Sequence, residues 1–243
     1  MPLGGPILTV AAVILAASET SALADADGTP AVRRIADTAW AGGATPMLVC
    51  VHDPKGRASA ALATSEVTIV APVPAALGPA AQIANGIESA LWLVGRTSAA
   101  LVWPARHVWA DAETITTLIA GHGERPDAVV VPAYGGIAGF PLLVPVAALP
   151  AVRALTPDRM PADLHTELAA AGWEVVLLET GDPGVAYDIG TARTALPGFD
   201  GPPQPLDEQD RDWGAALGNL ADDEPVTGAG TMPASSQAAA GRQ

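Results

Sequence analysis

The chain has 243 residues, 49% of them hydrophobic, with 12 Lys and Arg against 26 Asp and Glu and a formal net charge of −14. That length suits one globular core of roughly 200 residues with an appended tail, and there is ample apolar sequence to fill it. The acidity excludes a dedicated nucleic-acid binder, which needs a basic face to displace counterions, and it excludes a polybasic membrane contact.

The first apolar run, Leu8–Ala17, is β-branched at its centre (Val10, Val13, Ile14) and predicts a fully buried parallel strand. Followed by Ser21-Ala22-Leu23-Ala24, it also imitates a secretory signal. No Lys or Arg precedes Arg33, however, and the run is too short to span a bilayer, so a core strand is expected. A helix follows from Thr29-Pro30 to Gly42-Gly43, with Val32, Ile35, Ala36, Ala39 and Trp40 on one face. Met47–Val51 is the next strand and holds the single cysteine, Cys50. A lone thiol in an apolar run suits a small buried hydrophobe in a reducing compartment, here the cytoplasm.

Ala58–Ala63 predicts a short helix, Val67–Ala71 a strand, and Gly78–Leu93 a helix with Ile83, Ile87, Ala90, Leu91 and Val94 in register. Ala99–Trp103 is a short strand and Asp111–Ile119 a helix capped by Asp111. Ala128–Val131 and Leu142–Val146 read as strands, Asp163–Ala171 as a helix ended by Gly172, and Val175–Leu178 as the last central strand. This alternation, with continuously apolar strands, predicts an α/β fold whose mostly parallel sheet is covered by helices on both faces. Ligands in such sheets sit beyond the carboxyl ends of the strands.

Charge divides the chain into two parts. Residues 1–197 hold 10 basic and 18 acidic side chains, net −8, whereas residues 198–243 hold 2 and 8, net −6. The second stretch contains Pro202, Pro203, Pro205 and two acidic clusters, a composition that cannot bury enough apolar surface to offset its ordering entropy. It predicts a mostly disordered acidic tail. Trp213, Ala216, Leu217 and Leu220 alone show helical spacing there.

Four segments carry a family resemblance. They are the opening strand Val10–Ala17; the stretch Val129–Pro141, which ends in Gly139-Phe140-Pro141; Leu155 with Asp158-Arg159; and Asp182–Thr191. In this order they resemble, over residues 8 to 197, the nucleotidyltransferases that activate molybdenum cofactor, the cytidylyltransferase and guanylyltransferase group. The resemblance implies a three-layer, doubly wound, mostly parallel sheet of the nucleotide-diphospho-sugar-transferase type. It implies a nucleotide loop at Leu15, Ala16, Ala17 and Ser18, and a nucleobase-side helix bearing Gly78 and Gly86. The substrate side, which faces a pterin in the family, falls on Gly139, Phe140, Pro141, Asp158 and Arg159. Asp188 is the candidate metal ligand, for Mg²⁺ in an active enzyme.

Such an enzyme holds a triphosphate for attack at its α-phosphorus. It needs backbone N–H groups and cations at the phosphates, and carboxylates for metal. Against the family pattern, Ser18 replaces the first loop glycine and Ala22 an arginine, and the segment bearing the phosphate-binding lysine has no counterpart. The only lysine is Lys55. Glu19, Asp25 and Asp27 are added, and two like charges at ~6 Å cost on the order of 1–3 kcal/mol at an effective dielectric near 20. Arg106 stands where the family places a metal-binding aspartate, and an arginine excludes a divalent cation. Ala81 and Gln82 replace a serine pair.

Outside these motifs, His52, His107, His122 and His165 show no triad or metal spacing, and serine-hydrolase, Walker and dinucleotide fingerprints are missing. His107 is expected to be a hydrogen-bonded histidine beside the altered metal position. Trp103 and Trp109 flank that turn, as core or as filling for a nucleotide's volume. The resemblance therefore implies a catalytically impaired homologue acting as a binding or assembly partner, with an intact paralogue or a molybdoenzyme as the protein partner and a pterin as ligand. The alternative is an active transferase in which Arg33, Arg34 or Arg106 neutralises the phosphates. Neither involves nucleic acid or a membrane.

Overall fold

A computed structural model describes residues 8–199. The expected acidic tail, including Trp213 to Leu220, lies outside the described residues.

The elements, in chain order, are β1 (Thr9–Leu15), α1 (Glu19–Ala22), α2 (Ala31–Ala41), β2 (Met47–Cys50), α3 (Arg57–Ala61), β3 (Val67–Val70), α4 (Gly78–Leu93), β4 (Thr97–Pro104), α5 (Ala112–Glu124), β5 (Val129–Tyr134), β6 (Ile137–Ala138), β7 (Leu142–Pro145), α6 (Leu149–Arg153), α7 (Leu164–Ala170) and β8 (Val175–Glu179). The sheet runs β3-β2-β1-β4-β7-β5, and β5 also pairs with β6 and β8. The β1–β2, β2–β3, β1–β4 and β5–β8 ladders are parallel, while β7 is antiparallel to both β4 and β5. β6 and β7 are two halves of one returning arm, interrupted by Gly139-Phe140-Pro141.

β1 explains why its run is apolar throughout. Val10, Ala12 and Ile14 are buried beneath α2 and α5 with Val32, Ile35, Ile115 and Leu118. Ala11 and Val13 are buried on the opposite face with Ile83 and Ile87 of α4, Leu149 of α6 and Leu164 of α7. A strand with both faces covered has no polar side to display, and this gives the three-layer, doubly wound arrangement. Gly86 lets α4 approach closely: a Cβ there would lie 2.3 Å from Val13 Cγ1 and 3.3 Å from Cys50 Sγ.

Three local expectations change. α5 runs on to Glu124, because buried His122 in its last turn bonds Ser98 Oγ at 3.0 Å and keeps the helix wound past Ile119. β8 is a strand on the sheet's border rather than a central one, pairing only with β5 and leaving Leu177 53% exposed. α1 and α6 have no predicted counterpart, since four and five residues are too few to show a period.

Candidate functional site

β2, β1 and β4 end side by side: Ala16 N donates to Cys50 O at 3.0 Å and Ala105 N to Leu15 O at 2.8 Å. The loop Ala16–Ser18 and the turn after Pro104 therefore share one rim of the sheet. Beyond Ala17, Ser18 caps α1 in a reciprocal box. Ser18 Oγ accepts from Ser21 N at 3.1 Å, and Ser21 Oγ accepts from Ser18 N at 2.9 Å. Ala22 N and Leu23 N are bonded to Ser18 O and Glu19 O. The amides of Ser18, Ser21, Ala22 and Leu23 are thus satisfied within the turn itself.

The expectation that Glu19 faces the phosphate position is corrected. Its carboxylate turns to Arg57, 2.9 Å away, in a contact whose angle falls short of a hydrogen bond, and its charge is neutralised there. Asp25 and Asp27 remain exposed, with Asp25 Oδ1 accepting from Gly28 N at 3.0 Å.

The turn after β4 is fastened to the closing segment, Asp182–Thr191. Arg106 forms a charge-assisted hydrogen bond to Asp188 Oδ2, and Asp188 Oδ1 accepts from Gly190 N at 2.8 Å. Ile189 N donates to Arg106 O at 2.7 Å, and Trp109 Nε1 donates to the carbonyls of Asp188 and Thr191, each at 3.0 Å. Burial raises the Asp188 pKa, but the Gly190 N–H and the Arg106 guanidinium outweigh it and hold the carboxyl below its usual range.

Gly139-Phe140-Pro141 joins the same assembly. Phe140 N donates to Val185 O at 2.9 Å, and a Cβ on Gly139 would lie 2.1 Å from that oxygen. A Cβ on Gly184 would lie 2.1 Å from Trp109 O, so glycine is required at both close approaches. The His107 ring lies 4.5 Å from that of Phe140, its buried Nδ1 has no partner, and burial pushes its pKa down to about 4. It is a neutral imidazole at neutral pH, packed rather than hydrogen-bonded through Nδ1 as expected.

Asp182 anchors the far end of the closing segment. Its buried carboxylate accepts from Asp111 N (2.8 Å), Thr114 Oγ1 (2.7 Å) and Gly184 N (2.8 Å), at the N-terminus of α5. Burial pushes its pKa up, and those donors only partly offset the shift.

The remaining predicted residues gather elsewhere. Gly78, at φ +76°, begins α4, and a Cβ there would lie 1.9 Å from Pro157 O, which brings the Asp158-Arg159 turn against the helix start. Asp158 accepts from Thr156 Oγ1 at 2.5 Å, and Arg159 Nε lies 2.9 Å from Glu167. Gln82 Oε1 accepts from Val73 N at 3.0 Å and holds the loop before α4. Leu15–Ser18, Arg106, Gly139–Pro141 and Asp188 thus form one cluster, Gly78 with Asp158-Arg159 a second, and Gly86 is set beneath α4 against the sheet.

The donor set does not fit a divalent cation. Asp188 has both oxygens engaged, a guanidinium stands opposite it, and no group of three potential ligands occurs among the described residues. Arg33 is committed as well, and Arg34 is held through Nε alone. Arg33 Nε bonds both Asp37 oxygens at 2.9 and 2.8 Å. Arg34 Nε donates to Val108 O at 3.2 Å, with its guanidinium 5.0 Å from the Trp109 ring centre. Trp103 is fully buried and donates to His107 O at 2.6 Å, so it is core.

Glu179, Arg57 and the three-donor role of Asp182 were not predicted. Glu179 accepts from Gly135 N (2.6 Å) and Gly136 N (3.1 Å) at the tip of the β5–β6 hairpin. Apart from the local Asp182–Gly184 bond, these are long-range pairings with no local spacing signal; only the Gly-Gly turn hinted at the hairpin. No helix among the described residues is long and apolar enough to cross a membrane.

Solved structures share this architecture. A 4-diphosphocytidyl-2C-methyl-D-erythritol synthase is 16% identical with a TM-score of 0.59, covering 74% of this chain and 92% of its own. A nucleotidyl transferase from Methanothermobacter is 18% identical with a TM-score of 0.57, covering 70% and 87%. A Mycobacterium tuberculosis protein, Rv0371c, in complex with manganese is 17% identical with a TM-score of 0.55, covering 71% and 88%. These likenesses establish a nucleotidyltransferase-type fold. No curated protein sequence matches the chain. The MobA-like NTP transferase domain matches residues 12–174, from the middle of β1 to the residue before β8, and the chain belongs to that family.

Proposed function

We propose that this MobA-like domain has lost nucleotidyl transfer and serves as a binding or assembly partner in the cytoplasmic handling of molybdenum cofactor. Its ligand would be a pterin and its partner an intact paralogue or a molybdoenzyme. The observation that carries the reading is the Arg106–Asp188 ion pair, a guanidinium in the place where the family resemblance puts a second metal carboxylate. The self-capped turn at Ser18 supports it, because the Ser18 and Ser21 amides are spent on each other's hydroxyls. The Gly139-Phe140-Pro141 arm, kept against the closing segment, supports a retained substrate side. The same reading treats residues 1–197 as the working domain and residues 198–243 as its acidic tail. An active enzyme using Arg33, Arg34 or Arg106 has less support: Arg33 and Arg106 are paired with carboxylates, and Arg34 lines the space beside Trp109 and Asp111, whose lining does not include the Ala16–Ser18 loop.

The experiment is calorimetric titration of the full chain with CTP and with GTP in the presence of Mg²⁺, beside titration with a phosphorylated pterin. No heat with nucleotide at millimolar concentration, together with pterin binding, is expected. Micromolar, metal-dependent nucleotide affinity would overturn the reading.

A further inference from the structure

Most cations of the described residues are matched to a carboxylate. Arg33 pairs with Asp37, Arg57 with Glu19, Arg106 with Asp188, Arg125 with Glu174, Arg153 with Glu88 and Arg159 with Glu167. Among these residues Arg34, Lys55, Arg96 and Arg193 have no carboxylate partner. Two of them, Arg34 and Arg193, line one cavity of about 280 Å³ together with Asp37, Thr38, Trp109 and Asp111. In a chain of net charge −14, two uncompensated guanidiniums from distant segments facing the same space is a directed arrangement.

The acidic lining offsets only part of it: with Arg33 set against Asp37, the Asp111 carboxylate stands against two guanidiniums. Asp37 is held by Arg33 Nε through both oxygens, and Asp111 Oδ1 accepts from Glu113 N as the cap of α5. Arg34 is fixed by its bond to Val108 O and by stacking on the Trp109 indole, which leaves its terminal nitrogens as a preset fork. A fork held on an aromatic face grips an oxyanion with little further loss of freedom. The volume lies near the lower end of small-molecule sites, which run from roughly 300 Å³ upward.

We propose that this cavity is a second binding site, separate from the Arg106–Asp188 cluster, for the phosphate group of a small molecule. Arg34 and Arg193 grip the phosphate, and Thr38 offers a hydroxyl. The site adjoins the cluster through Trp109, whose Nε1 holds the backbone of Asp188 and Thr191. It stands whether or not nucleotidyl transfer is retained.

The test titrates the full chain with inorganic phosphate at constant ionic strength, with acetate as the carboxylate control, and follows the Trp109 indole N–H resonance. A saturable shift with phosphate is expected, weakened about tenfold or more in Arg193→Ala, as for loss of one charge-assisted contact, and unchanged in Arg96→Ala. Arg193 is exposed, so its removal leaves the fold intact. No saturable shift, equal binding of acetate, or equal loss in Arg96→Ala would each overturn the proposal.

Discussion

Arg106 and Asp188, 82 positions apart, form an ion pair that ties the turn after β4 to the closing segment. Arg106 is 66% exposed, and such pairs are worth at most about 1 kcal/mol of stability. Its importance is electrostatic. The guanidinium matches the charge of the carboxylate it faces and leaves none over for a divalent ion. On this MobA-like scaffold the turn after β4 thus faces Asp188 with a cation.

Arg106→Asp should recreate an acidic pair opposite Asp188. Two carboxylates about 6 Å apart cost on the order of 1–3 kcal/mol at an effective dielectric near 20, and a divalent cation relieves the repulsion. The variant is expected to melt below the native protein in metal-free buffer and to be raised by several degrees in millimolar Mn²⁺. Scanning calorimetry with and without Mn²⁺ measures both effects. An equal Mn²⁺ response in the unaltered protein would contradict the ion pair's excluding role.

The layers were legible because burial on both faces writes itself into sequence. Val10 to Leu15 and Leu142 to Val144 are apolar without interruption, and α2 and α4 carry their periods. Arg106 was legible as a cation in the turn after β4, but its partner was not. Nothing in the local pattern says that Asp188 lies opposite it, nor that Arg57 turns toward Glu19. β8 misled because Val175–Leu178 is as apolar as a central strand, while its position at the sheet border depends on pairing with β5 alone. Partner choice across the fold is a tertiary fact, whereas period and burial are local ones.

Asp182 predicts a large stability effect far from any ligand. Its buried carboxylate satisfies two backbone N–H groups and the Thr114 hydroxyl. Asp182→Ala leaves all three without an acceptor and should cost about 3 kcal/mol or more, whereas Asp182→Asn, which keeps one oxygen, should cost about 1–2 kcal/mol. Urea denaturation of the two variants decides it. Equal midpoints for alanine and asparagine would mean that the donors find other acceptors.

The glycine contacts predict an order of severity. A methyl at Gly86 meets a side-chain carbon of Val13 at 2.3 Å, and side chains can shift, so Gly86→Ala should cost about 1–3 kcal/mol. A methyl at Gly139 meets the Val185 backbone oxygen at 2.1 Å and would also part Phe140 N from its acceptor. Gly139→Ala should therefore be the more damaging of the two, adding about 1 kcal/mol for the lost hydrogen bond. Chemical denaturation ranks them, and a milder Gly139→Ala would show that the arm is not clamped to the closing segment.

His107 makes stability depend on pH in a defined window. Burial lowers its pKa to about 4 in the folded chain, against 6.5 for the unperturbed group. Between these values the unfolded chain binds the extra proton, so stability rises with pH there and is lost as pH falls from 6.5 toward 4. The linkage amounts to about 2 kcal/mol between pH 7 and pH 5 and approaches about 3 kcal/mol below pH 4. His122, whose pKa is also lowered by burial, acts in the same direction, so the diagnostic quantity is a difference between proteins. His107→Gln cannot take up the proton; it loses the contact with Phe140 at every pH but should flatten the slope between pH 7 and pH 5 by most of that amount. Urea titrations of both proteins across this range measure the slopes, and parallel curves would show that the His107 ring is free to reach solvent when it charges.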